Sequence, residues 1–199
     1  MGTINHKGWH AIHPSPSTEN YPHVATFIKL KVAWALTIAP SPIIDEYYTL
    51  GLMLTLPLPL PPLTVINFYY HVEQKCAHLE ALLHCTIPCD EATLLCGDFN
   101  THSTLWSPGD IRPSTWAPAL EDWLDAENLV SLVPDESITR RHGSTKPSLI
   151  DLMLANPAFL EVPPFPCECS VSFDLSLGSD HVGLLLTLPL SLPPAPDAD

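Results

Sequence analysis

Five residues in three places carry groups suited to cutting a phosphodiester bond. They are Asp98 and Asn100 in Leu95-Cys96-Gly97-Asp98-Phe99-Asn100-Thr101-His102, Asp151 in Ser148-Leu149-Ile150-Asp151-Leu152, and Asp180 and His181 in Gly178-Ser179-Asp180-His181. That chemistry needs a cation to neutralise the phosphate, a base to activate water, and donors for the developing charge. Each acid stands beside a second polar group or inside an apolar run, as when a sheet delivers side chains to a pocket at its rim. Asp98 and Asn100 are two apart, so an extended backbone turns them to one side. Asp151 is a lone acid in an apolar segment, and an unpaired buried carboxylate is costly, so it needs a partner. His181 is the candidate, because a carboxylate can orient and charge an imidazole for acid–base work. A plainer reading stands beside this one: Asp and Asn also favour ordinary turns after strands.

The elements expected to position these groups are short. Val24–Val32 alternates as a strand, with Phe27 expected on the side opposite the lysines. Thr49–Leu56 and Leu63–Tyr69 are continuously apolar, as strands covered on both faces are. His71–His84 has helical spacing, with Cys76, Leu79, Leu82 and Leu83 as the buried stripe. Ala92–Cys96 is a buried strand leading into Gly97-Asp98. Trp116, Leu120, Trp123 and Leu124 recur at helical spacing, with Pro118 tolerable in the first turn. Leu129–Val133 is extended, Ser148–Leu154 is a strand with Asp151 inside it, and Val182–Leu188 is a last strand after His181. Strands outnumber helices, which points to two packed sheets with flanking helices.

Composition sets bounds. With 199 residues and 46% apolar content, the chain can bury one core. We therefore expect one domain over residues 1–188 and a frayed proline-rich tail over 189–199. The uncharged run Leu50–Phe68 is long enough for a membrane span, but Pro57, Pro59, Pro61 and Pro62 interrupt it, so two strands and a turn are expected instead. A net charge of −14 opposes non-specific binding to polyanions. Arg140, Arg141 and Lys146 make a local basic lip in one loop, or merely a solvated turn. Six cysteines lack zinc-site spacing, and the start has no apolar signal core, so reduced thiols and an intracellular, nuclear or cytoplasmic, non-secreted location are expected.

Four segments together carry a resemblance: Val65-Ile66-Asn67-Phe68-Tyr69, Gly97-Asp98-Phe99-Asn100 with His102 and Trp106, Ser148-x-Ile150-Asp151-Leu152, and Gly178-Ser179-Asp180-His181, with Thr139-Arg140 just before the Asp151 segment. In order and spacing the chain resembles the endonuclease/exonuclease/phosphatase superfamily of DNase I-like enzymes. More narrowly, it resembles the endonuclease domain of non-long-terminal-repeat retrotransposons. The resemblance implies an α/β (α+β) fold, a four-layer sandwich of two packed mixed sheets flanked by helices, here lacking its first strands. It also implies Mg²⁺-dependent hydrolysis, with Mn²⁺ as a substitute, and DNA as the ancestral substrate. By motif position, Asp98 would hold or activate the attacking water, and Asn100 would contact the phosphate or orient Asp98. Tyr69 would donate to the phosphate or leaving oxygen, with Tyr70 as its neighbour on the opposite face. Asp180 would help bind the metal, and His181, paired to Asp151, would face the scissile phosphate.

The chain also departs from that family. Its members carry, ahead of the segment matched by Trp9-His10-Ala11-Ile12, a strand with an asparagine and another ending in a metal-binding glutamate. The eight residues before Trp9 hold no acid, Glu19 lies in the wrong context, and Pro22-His23 stands where relatives carry arginine. Weakened metal binding follows from that expectation. Three readings therefore remain: a metal-dependent DNA endonuclease, a catalytically inactive remnant or binding module of the same fold, and a relative acting on lipid or inositol phosphates. Neither an obligate protein partner nor a membrane is inferred.

Overall fold

Alternating and continuously apolar runs bounded by proline and glycine make strands here, and the two helical stripes make the helices that cover them. The computed structural model describes residues 2–6, 8–14, 23–30, 36–46, 48–56, 60–71, 77–107, 112–141, 143, 146–161, 167–176 and 178–188, with backbone alone at 2–6 and 42–46. In chain order the strands are β1 (Gly2–His6), β2 (Trp9–His13), β3 (Thr26–Lys29), β4 (Thr37–Glu46), β5 (Thr49–Thr55) and β6 (Leu63–Tyr69), then β7 (Ala92–Asp98), β8 (Val130–Ser131), β9 (Asp151–Ala155), β10 (Glu168–Ser172) and β11 (Gly183–Thr187). The helices are α1 (Ala77–Leu83), α2 (Ala117–Ala126) and α3 (Pro157–Leu160). The expected tail over 189–199 lies outside the described residues, as do Cys76 and the proline turn at 57–59.

Six strands form the main sheet in the order β4-β5-β6-β7-β9-β8. The β6–β7 pair is parallel and the others are antiparallel, so the sheet is mixed. Proline has no N–H for a ladder, and Pro40 sits on the edge strand β4, where the register shifts between Pro40 and Asp45. Register separates the two faces. Ile66, Leu95, Leu152 and Leu154 lie on one face, fully or almost fully buried, in a core with Leu79 and Leu82 of α1 and Leu120 and Leu124 of α2. On the other face, Leu50 and Leu52 meet Ile12 and Ile28 from the three-stranded sheet β1-β2-β3, and Val24 just before β3. Further along the chain, Leu184 and Leu186 of the β10–β11 pair pack on the core, and the Cys169 thiol lies 3.8 Å from Met153 sulfur.

The mixed sheet with flanking helices agrees with the expected α+β class, but the opposing layer comes in two pieces, β1–β3 and β10–β11. Two local expectations need correction. Phe27 and Lys29 are both exposed around buried Ile28, because 27 and 29 share parity and must share a face. Asp151 begins β9 rather than lying inside it. That position puts its carboxylate at the sheet's rim, where a partner can reach it.

One buried side chain ties the far end of this sheet together. Asn156 is 1% exposed and caps α3, its Oδ1 accepting from Phe159 N (3.0 Å) and Thr93 N (2.9 Å). Its amide donates to the Pro88 and Glu91 carbonyls, so every polar atom of the side chain is used.

Candidate active site

Strand register alone brings three of the singled-out residues into one row. Tyr69 pairs with Asp98 across β6–β7, and Asp98 pairs with Asp151 across β7–β9. Directly paired residues share a face, so all three lie on the face opposite the helices, at one end of the sheet. Gly97 lets the row form. A Cβ there would sit 1.8 Å from the Phe68 carbonyl oxygen, and its φ of +148° is a conformation that side chains rarely adopt.

Two carboxylates directly opposite one another repel, and both are mostly shielded, with side-chain exposures of 16% for Asp98 and 17% for Asp151. Burial first, and then the Asp151 charge, push Asp98 up to about 6; the Asn100 amide, His181 and Arg140 pull the other way. Asn100 reaches Asp98 by a route the spacing did not foretell. Its backbone is left-handed, with φ at 42°, so it does not alternate along a strand. Instead its N–H donates to Asp98 Oδ1 (2.9 Å), closing a tight Asx turn, while its side-chain amide donates to Asp98 Oδ2 (3.0 Å) and the Tyr70 carbonyl (2.9 Å). The turn reading and the chemical reading therefore describe one geometry. The amide restrains the carboxylate from both sides.

His181 supplies the partner that Asp151 requires. Its Nδ1 lies 2.9 Å and 3.1 Å from the two Asp151 oxygens. The histidine backbone is fixed by a bridge to Arg140, by Ser179 Oγ accepting from its N–H, and by the Val182 N–H donating to Thr139 O. Fully buried Thr139 holds the other half, its hydroxyl oxygen accepting from the Ile150 and Asp151 amides (both 3.1 Å). The Asp151 hydrogen bond is the main cause raising the His181 pKa, against desolvation that lowers it. With Nδ1 committed, Nε2 faces Asp98 Oδ2 at 3.9 Å, too far for a hydrogen bond. An oxygen placed about 2.8 Å from each would subtend an angle of about 90°, so the gap suits one water or phosphate oxygen.

The remaining candidates lie close by but are arranged differently. Asp180 Oδ2 accepts from Arg140 Nε at 3.0 Å, and that hydrogen bond is the main cause lowering its pKa. The Tyr69 ring sits in an aromatic group with His23 (centroids 6.0 Å apart), Tyr48 (6.3 Å) and His71 (5.8 Å). His102 follows in the loop, its pKa lowered by burial and then by Arg140. Residue types flagged Arg140 as part of a basic lip. Only the fold reveals that its charge bears on Asp98, His102 and Asp180 together. Trp123 is buried and Trp116 packs against the core, as their helical spacing suggested, and Trp106 packs there too.

Asp98, Asp151 and His181 are also a group that could hold a metal ion, with donor atoms within 4.8 Å of one another. Magnesium favours oxygen ligands and is commonly held by one or two carboxylates, with water and phosphate completing the shell. The two acids fit that requirement, and the repulsion between them is what a divalent cation relieves. Both carboxylates already accept hydrogen bonds, Asp151 from the imidazole and Asp98 from Asn100, so a cation would share the Asp98 oxygens rather than find them unused.

A search of solved structures places the fold beside known ones. The endonuclease domain of TRAS1, a telomere-specific non-LTR retrotransposon, matches with a TM-score of 0.68 at 17% identity, covering 92% of this chain and 81% of that one. An endonuclease/exonuclease/phosphatase family protein from Leptotrichia buccalis C-1013-b matches with a TM-score of 0.51 at 14% identity, covering 92% and 71%. Among curated proteins, none matches the chain. The family model described as endonuclease-reverse transcriptase matches residues 63–185, a span that runs from β6 through the Asp98 turn and the Asp151–His181 pair into β11. The chain therefore belongs to the endonuclease-reverse transcriptase family.

Proposed function

We propose that the chain is a metal-dependent phosphodiesterase that nicks DNA, of the retrotransposon endonuclease type. The observation that carries this reading is the Asp151-bound imidazole facing Asp98 across a 3.9 Å gap, with Asn100 restraining the Asp98 carboxylate. A scissile phosphate seated against His181 Nε2 lies within reach of water held by Asp98. Asp98 takes the proton as the water oxygen bonds to phosphorus; the P–O bond to the leaving oxygen then breaks. The charged His181, stabilised by Asp151, offsets the negative charge that builds on the phosphate. Asn100 keeps Asp98 aimed, and Tyr69, in the next position of the same row, donates to the phosphate or the leaving oxygen.

Mg²⁺, or Mn²⁺ in its place, supplies charge neutralisation at the phosphate when bound. Asp98 would hold it and, by motif position, Asp180 would join only on release from Arg140. That release has a cost, which supports weak metal affinity. A second reading, a pocket that has lost catalysis, is favoured by this Arg140–Asp180 pairing together with the −14 net charge.

Plasmid nicking separates the two. Purified chain with Mg²⁺ is expected to nick supercoiled DNA, and EDTA or Asp98→Ala is expected to abolish nicking. No nicking, or nicking unchanged by Asp98→Ala, overturns the endonuclease reading.

A further inference from the structure

On the sheet face opposite Asp98 and Asp151, two adjoining hollows of about 250 Å³ and 270 Å³ share Leu105, Trp106 and Ser131 as walls. Leu152 and Leu154 line the first and Leu149 and Val133 the second. Each hollow falls just below the roughly 300–1,000 Å³ of small-molecule sites and has room for a large apolar side chain.

The apolar feature between them is held out rigidly. Leu105 is 70% exposed, yet its turn is fixed: its N–H donates to Ser103 Oγ (2.9 Å), Ser107 N–H donates to Ser103 O (2.8 Å), and the Ser103 hydroxyl donates to Glu121. Trp106 is pinned beside it by its indole N–H donating to the Thr101 carbonyl (3.0 Å). A leucine presented on a hydrogen-bonded turn leaves less backbone freedom for binding to remove. The hollows also border β8, which is an edge of the main sheet.

Charge selects the occupant. Glu121 and Asp125 rim one hollow, Asp135 and Glu136 the other, and among the described residues neither is lined by lysine or arginine. A nucleic acid is repelled by this rim, and a second copy of a chain with a net charge of −14 is disfavoured. We propose that this groove docks an extended, basic segment of another protein, with two large apolar side chains filling the hollows and lysines or arginines meeting the four carboxylates. The site is separate from the catalytic row and does not depend on catalysis.

The test uses the full chain and a fluorescein-labelled nonapeptide of alternating lysine and leucine, followed by anisotropy. Lysine–serine and glutamate–leucine nonapeptides are the controls, and circular dichroism checks each variant's fold. The lysine–leucine peptide is expected to bind with Kd on the order of 10–100 µM at low salt. Leu105→Asp and, separately, Asp125→Lys with Asp135→Lys are each expected to weaken it on the order of tenfold. The charge-reversed pair is also expected to gain affinity for the glutamate–leucine peptide. Equal binding of the lysine–serine peptide, no binding at millimolar peptide, or insensitivity to both variants overturns the proposal. So does self-association in the ultracentrifuge that Leu105→Asp abolishes, since the groove then serves a second copy.

Discussion

Replacing Asp98 with asparagine should stabilise the fold at neutral pH while removing activity. The Asp98 carboxyl is raised from 3.8 to about 6, mainly by burial and then by the Asp151 charge. A folded-state pKa above the unfolded value means that the protonated form stabilises the fold; that contribution is complete at low pH and is lost as pH rises through 6. At pH 7 the ionised carboxylate then costs about 3 kcal/mol, since each pKa unit is worth about 1.4 kcal/mol. Asparagine removes that charge but turns a second donor toward the Asn100 amide, which now donates to Asp98 Oδ2. Losing that hydrogen bond costs about 1 kcal/mol, leaving the variant about 2 kcal/mol more stable at pH 7. By pH 4 most of the wild-type penalty has gone, and the variant's advantage should vanish or reverse. His181 titrates in both proteins, and losing the Asp98 charge removes one of the causes that raise its pKa. Urea unfolding at pH 7 and pH 4, in EDTA to exclude divalent cations, measures this directly. A variant less stable than wild type at both pH values, or a difference that ignores pH, refutes the account of Asp98 as a penalised charge. Confirmation would make Asp98 a residue whose position costs the fold stability, which is common at working sites.

Two further outcomes follow from the same geometry. Asp151→Asn removes the charge that raises His181, so the imidazole pKa should fall, as read by NMR titration of the His181 ring, and plasmid nicking should slow by roughly 10²–10⁴-fold; an unmoved His181 titration contradicts the pairing. Gly97→Ala drives a methyl group into the Phe68 carbonyl, so thermal unfolding should show a loss on the order of 4 kcal/mol or an unfolded chain, whereas a loss under about 1 kcal/mol would mean that the two strands can part easily.

The segments that carry the site residues were legible in the sequence; local backbone conformation and side-chain direction were less so. Asp151 announced its need for a partner because a lone acid stood among apolar residues, and His181 meets it through 2.9 Å and 3.1 Å contacts. Asp98 and Asn100 were expected to meet by strand alternation; they meet through a turn, since Asn100 tolerates the left-handed conformation. Asp180 stands next to His181 in the chain but points to Arg140, a choice set by a guanidinium forty positions away. Within the fold, strands β5, β6 and β7 followed from their apolar runs, because local pattern and burial agree there. The division of the opposing layer into β1–β3 and β10–β11 depends on pairings between distant segments, which no local pattern encodes.

The central claim is that Asp98 and the Asp151–His181 pair act on one phosphate as a unit. A double-mutant cycle on plasmid nicking in Mg²⁺, with Asp98→Ala, His181→Ala and both together, tests it most directly. The account predicts that each single change slows nicking by about 10²–10⁴-fold and that the double change is little worse than the more damaging single one. Independent, multiplying losses, or a wild-type chain that never nicks DNA, would contradict it.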